Sequence, residues 1–163
     1  MPLPLPRPRD EGGRDNGPMF DPSTADVRRF FCEARRKSRE GALLTPLEAI
    51  AADWIAEHPE YHAELDDAEG ALARRYDIEA GRTNPFLHLA MHLSISEQVS
   101  IDQPAGLRQA FELLAARHGS AHAAQHEVME CLGEMLWTAQ RSGSAPDGAG
   151  YVDCVRRRAT RIS

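Results

Sequence analysis

No run in this chain approaches the ~18 consecutive apolar residues of a membrane-spanning helix, and its N-terminus lacks the apolar stretch of a secretory signal. Cysteine is scarce and odd in number. Cys32, Cys131 and Cys154 form no CxxC arrangement, which argues against a disulfide-stapled secreted scaffold and for reduced thiols packed as small core residues. Excess positive charge is missing too: a formal net charge of −6 gives the molecule no overall attraction for a polyanion, so nucleic acid and anionic membrane are disfavoured as partners. No segment alternates apolar and polar residues for long enough to form a strand, and no internal repeat carries matching apolar positions. These absences point to a cytoplasmic, all-α protein. A chain of 163 residues, 42% hydrophobic, suits one domain with a single core.

Residues 1–18, MPLPLPRPRDEGGRDNGP, hold five prolines and almost nothing to bury, so they read as a disordered extension and the helical domain as 19–163. Met19 is a natural translation start. Beyond it the pattern is that of a helical bundle of six to seven helices. Val27, Phe30, Phe31 and Ala34 form one apolar stripe, and Gly41 is a stop. The same helix carries Arg28, Arg29, Arg35, Arg36, Lys37 and Arg39, read as a solvated basic face. Thr45-Pro46-Leu47-Glu48 has the form of a capping box, and Pro59 should end the second helix near His58. Further helices are expected over 63–74, 85–100, 105–117, 121–141 and 147–160, with Trp54 and Trp137 as core anchors, Trp137 near an interface edge.

All seven histidines fall at four-residue spacing: His58 and His62, His88 and His92, then His118, His122 and His126. On a helix, residues four apart share a face, so such a pair can present two imidazole nitrogens to one metal ion. The segment FLHLAMHLSISEQVS is apolar around nearly its whole circumference, which implies a central helix and burial of His88 and His92. A buried imidazole needs a hydrogen-bond partner or a metal, since leaving it unsatisfied costs about 1–3 kcal/mol. His122, His126 and Glu130 form a stripe flanking the core face of the 121–141 helix. Neither HExxH nor Glu-x-x-His occurs, so the zincin and ferritin-type signatures are both missing. Glu97 and Asp102 have the chemistry of an acid or base, but Glu97 lies almost opposite His88 and His92 on the helical wheel and reads as a hydrogen-bonding or surface residue; Cys131 reads as packing rather than as a nucleophile.

At HPEYH, the Gly-x-Thr-Asn-Pro-Phe-Leu-His run of residues 81–88, EQVSIDQP and ECLGEMLWTAQR, the chain resembles a bacterial family of domains of unknown function, family eighteen-forty-one. The resemblance spans roughly Met19 to Arg157 and implies a small cytoplasmic proteobacterial protein, with no activity to carry over. It also implies an acidic residue within the last histidine cluster, where this chain has Gln125.

Two readings follow. In the first, His88, His92, His122 and His126 bind one divalent ion (zinc, iron or manganese), with Glu130 and His62 as outer candidates. In the second, the protein is a non-enzymatic interaction or structural module, a homodimer or the companion of another protein. Its histidines then make core hydrogen bonds with Tyr61, Asn84 or Asp102.

Overall fold

The computed structural model describes residues 25–75 and 84–161. The Pro-rich extension and the loop expected over 76–83 lie outside the described residues. Among the described residues every regular element is helical: α1 (Ala25–Glu40), α2 (Pro46–Ala56), a 3-10 turn (Pro59–Tyr61), α3 (His62–Asp66), α4 (Ala68–Ala73), α5 (Pro85–Ile101), α6 (Leu107–His118), α7 (Ala121–Ser142) and α8 (Gly148–Thr160). None of them is long and apolar enough to cross a membrane. The chain forms two compact units, Met1–Met91 and His92–Ser163, and α5 contributes its first turns to one and its remainder to the other.

Local sequence signals set most helix ends. The Thr45 hydroxyl accepts from the Glu48 amide at 3.2 Å while the Glu48 carboxylate accepts from the Thr45 amide at 2.9 Å, so the expected capping box is formed. Those contacts, with Lys37 2.9 Å away, hold the Glu48 carboxyl below the usual carboxylate range. Pro59 separates α2 from the following turn, so His58 and His62 share no continuous helix, as the proline implied. The single helix expected over 63–74 is two. Asp67 breaks it with φ −107° and ψ 78°, and its carboxylate caps α4 by accepting from the Gly70 amide at 3.1 Å.

In the first unit α1 packs on α2, α3 and α4. Val27, Phe31 and Ala34 are buried on its apolar stripe, each large side chain worth roughly 1.5–3 kcal/mol of removal from water. The basic face is only partly as expected. Arg35 and Arg39 pair with Asp66, and Arg36 bridges Glu33 and Glu40. Arg28 is buried instead. Its Nη1 donates to the carbonyls of Ala71 at 2.7 Å and Arg74 at 2.6 Å, and its guanidinium lies 5.5 Å from the Phe86 ring centroid. Charge near the C-terminal end of α4 is favourable because that end carries orphan carbonyls.

In the second unit α6, α7 and α8 pack on one another. Asp102, at φ 52°, terminates α5 and caps α6, its carboxylate accepting from the amides of Gly106 and Arg108 at 3.2 and 3.0 Å. The Gln103-Pro104 peptide bond is cis. Tyr151 is buried on α8 and donates its phenol proton to Gln98 Oε1 at 2.7 Å.

Two expectations are corrected here. Cys131 and Cys154 are joined as a disulfide linking α7 to α8 rather than standing as separate core thiols. They are 23 residues apart in sequence, and only the packing of the two helices brings their Cα atoms to 5.8 Å, within bonding reach. Cys32 alone remains a thiol, and burial pushes it up to about 11. Trp137, expected as a core anchor near an interface edge, is not in the core: it is 58% exposed and stacks under the Arg141 guanidinium at 4.7 Å.

Candidate metal centre

Three histidines of the second unit converge. Asn84 caps α5, its Oδ1 accepting from the amides of Phe86 and Leu87, and the helix then runs through His92, whose side chain is wholly buried. Ser120 caps α7 by accepting from the Ala123 amide at 3.2 Å. The alanine-rich first turn of α7 propagates helix readily, which puts His122 and His126 one turn apart on the same face. Their ring centroids lie 4.5 Å apart, and His92 sits 5.0 Å from His126 and 5.6 Å from His122. One nitrogen from each of the three lies within 4.8 Å of the others. Imidazole nitrogens gathered this closely are a donor set of the kind that holds a divalent ion.

Gln125 supplies the orientation. Its Oε1 lies 2.9 Å from His92 Nδ1. An amide oxygen only accepts, so His92 Nδ1 carries a proton, and in the neutral ring Nε2 is then the lone-pair nitrogen. The amide Nε2 of Gln125 donates to Ser96 Oγ at 3.0 Å, so both ends of this buried side chain are engaged. A carbonyl accepting the second ring N–H is the usual outer partner of a ligating histidine, fixing its tautomer and ring angle. The position where an acid was expected is therefore used, with the uncharged amide performing the orientation.

The other candidate residues are placed as follows. His88 belongs to the first unit, its ring 4.7 Å edge-on from His58 and 5.9 Å from Tyr61. His62 Nε2 lies 2.8 Å from the Ile55 carbonyl, which makes that nitrogen the protonated donor. Glu130 is exposed and paired with Arg158. Asn84 and Asp102, named as partners for core histidines, serve as the helix caps described above. Glu97 is half-buried, and desolvation raises its carboxyl above the ordinary range.

His58 was not among the expected ligands. It is buried, stacked on Tyr61 at 5.4 Å, and its Nδ1 lies 2.7 Å from Glu60 Oε1. The same contact holds the Glu60 carboxyl below its usual range. This carboxylate–imidazole pair is legible in hindsight as the central Glu of HPEYH, but only the tight turn at Pro59–Tyr61 folds residue 60 back onto residue 58.

Residues 23–157 match the profile of the family described as "Domain of unknown function (DUF1841)". The chain belongs to the DUF1841 family. Among curated proteins and among solved structures nothing matches it. Membership brings no reaction to this DUF1841 chain, so its chemistry rests on the residues themselves. Among these the histidine trio is a group that could hold a metal ion.

Proposed function

We propose that this DUF1841 chain binds one divalent metal ion through His92, His122 and His126. The reading rests above all on the Gln125–His92 contact, which directs the Nε2 lone pair of a wholly buried imidazole while two more imidazoles lie beside it. An all-nitrogen set suits zinc, iron or manganese, with zinc favoured by a compact three-imidazole face. Three protein nitrogens are also the ligand count of catalytic zinc sites in which water completes the shell, so hydrolysis is the first reaction class to screen. Cytoplasmic location is part of this proposal and rests on the composition apart from the cysteines, since a disulfide is uncommon in that compartment. There the Cys131–Cys154 bond meets a reducing thiol pool.

Elemental analysis of the full chain and its variants tests the reading. Near-equimolar metal is expected in the parent and loss in His92→Ala, His122→Ala and His126→Ala. His118→Ala should retain it, because that ring is engaged with Glu127 instead. Folded parent protein that contains no metal and takes up none on addition would sink the proposal. That outcome favours a second reading supported by the same network: His92, Gln125 and Ser96 as a satisfied polar core that fixes how α5 meets α7 in an interaction module.

A further inference from the structure

The disulfide between α7 and α8 has surroundings that the histidine chemistry does not use. Cys131 and Cys154 both line a cleft of about 300 Å³, with Glu134, Ser144, Asp147 and Arg157 among its walls. The volume is at the small end of the roughly 300–1,000 Å³ of small-molecule sites, so the cleft admits a thiol of peptide-fragment size and not a folded protein surface. Its walls offer both signs of charge and hydroxyls, which suits a zwitterionic ligand. Of the two half-cystines Cys154 is the more accessible, 8% exposed against 1% for Cys131. Glu134 Oε2 lies 3.8 Å from Cys154 Sγ. That carboxylate disfavours negative charge on Cys154, so departure of thiolate from Cys131 is the easier direction.

We propose that Cys131–Cys154 is an exchange site for low-molecular-weight peptide thiols, entered through this cleft, with Cys154 the sulfur that is attacked. The incoming thiolate forms a new S–S bond to Cys154 Sγ as the Cys131–Cys154 bond breaks. The electron pair leaves on Cys131 Sγ, which takes a proton from solvent. A second thiolate attacks the external sulfur of the mixed disulfide, releasing the oxidised small disulfide and a Cys154 thiolate that is then protonated. Two thiols are oxidised and one protein disulfide is reduced by two electrons. The packing of Tyr151, Val152 and Val155 in the core keeps α8 seated in either state. The site shares no residue with the histidine trio.

Glutathione is the probe. The full-length oxidised protein is equilibrated in buffers of varied reduced-to-oxidised glutathione ratio, quenched by alkylation and read by mass spectrometry. Cys131 and Cys154 are expected to interconvert reversibly under native conditions, about tenfold or more faster than global unfolding. Cys131→Ser is expected to carry one glutathionyl group on Cys154. Cys32 stays silent, because it is buried and little ionised. Ser144→Trp, at an exposed position in the cleft wall, should slow exchange about tenfold at unchanged melting temperature. A native disulfide whose reduction only tracks unfolding overturns the proposal. So does a Cys131→Ser protein with the parent's circular dichroism that takes up no glutathione, and so does exchange indifferent to Ser144→Trp, which would place the attack elsewhere than the cleft.

Discussion

Oε1 of Gln125 accepts from Nδ1 of His92 over 2.9 Å, and this contact decides which nitrogen of the deepest histidine can reach a metal. Outer partners of this kind change metal affinity by about 10–100-fold when removed. Gln125→Ala should therefore weaken zinc binding by about that factor in a chelator competition titration. Gln125→Glu, which keeps the geometry and raises the basicity of His92, should strengthen it. Equal affinity in all three proteins would show that the amide does not act on a ligand.

Metal binding to the folded state alone raises stability by mass action. At a free zinc concentration ~100 times the Kd the gain is ~2.7 kcal/mol, which for a chain of this size is a melting shift of about 5–10 °C. The parent should show this shift in calorimetry and His126→Ala should not. A shift of the same size in both would assign the stabilisation to some other site.

Arg28 lies under the end of α4 with its charge directed at two carbonyls. Arg28→Met keeps much of the aliphatic stem and removes the donors, leaving buried acceptors unmet, each worth about 1–3 kcal/mol. The expected loss is about 2–4 kcal/mol by urea unfolding. Arg28→Lys, which keeps one donor-bearing charge but loses the planar fork, should recover part of it. A loss below ~0.5 kcal/mol would place the arginine among ordinary surface charges.

Burial raises the Tyr151 phenol above its ordinary value of 10, and its proton is given to Gln98. A group raised in the folded state contributes stability that is complete below its unfolded value and is lost as pH rises through the folded one. Stability should therefore fall above pH ~10. Tyr151→Phe should be weaker at neutral pH by about 1 kcal/mol but lose that alkaline slope. Chemical denaturation at pH 8 and pH 11 separates the two, and parallel curves for the two proteins would contradict it.

Much of the helical framework was readable one turn at a time. The capping box at Thr45–Glu48, the interruption at Pro59 and the apolar stripe at Val27, Phe31 and Ala34 each depend on residues within four or so positions of one another. So does the shared face of His122 and His126. Asp67 shows the limit of this reading: its side chain competes for a local backbone amide, and a continuous helical pattern concealed the break.

Which distant residues meet was settled by packing. An odd set of three cysteines allows any pair, and only α7 lying against α8 selects Cys131 with Cys154. An exposed basic stripe and a buried arginine look alike until α4 presents carbonyls to Arg28. Four-residue spacing put His88 with His92 on one helix and His122 with His126 on another, and carried no information on which member of the first pair meets the second. The fold put His92 with His122, His126 and Gln125, because contact between side chains 30 or so residues apart depends on helix direction and crossing, which no local pattern encodes.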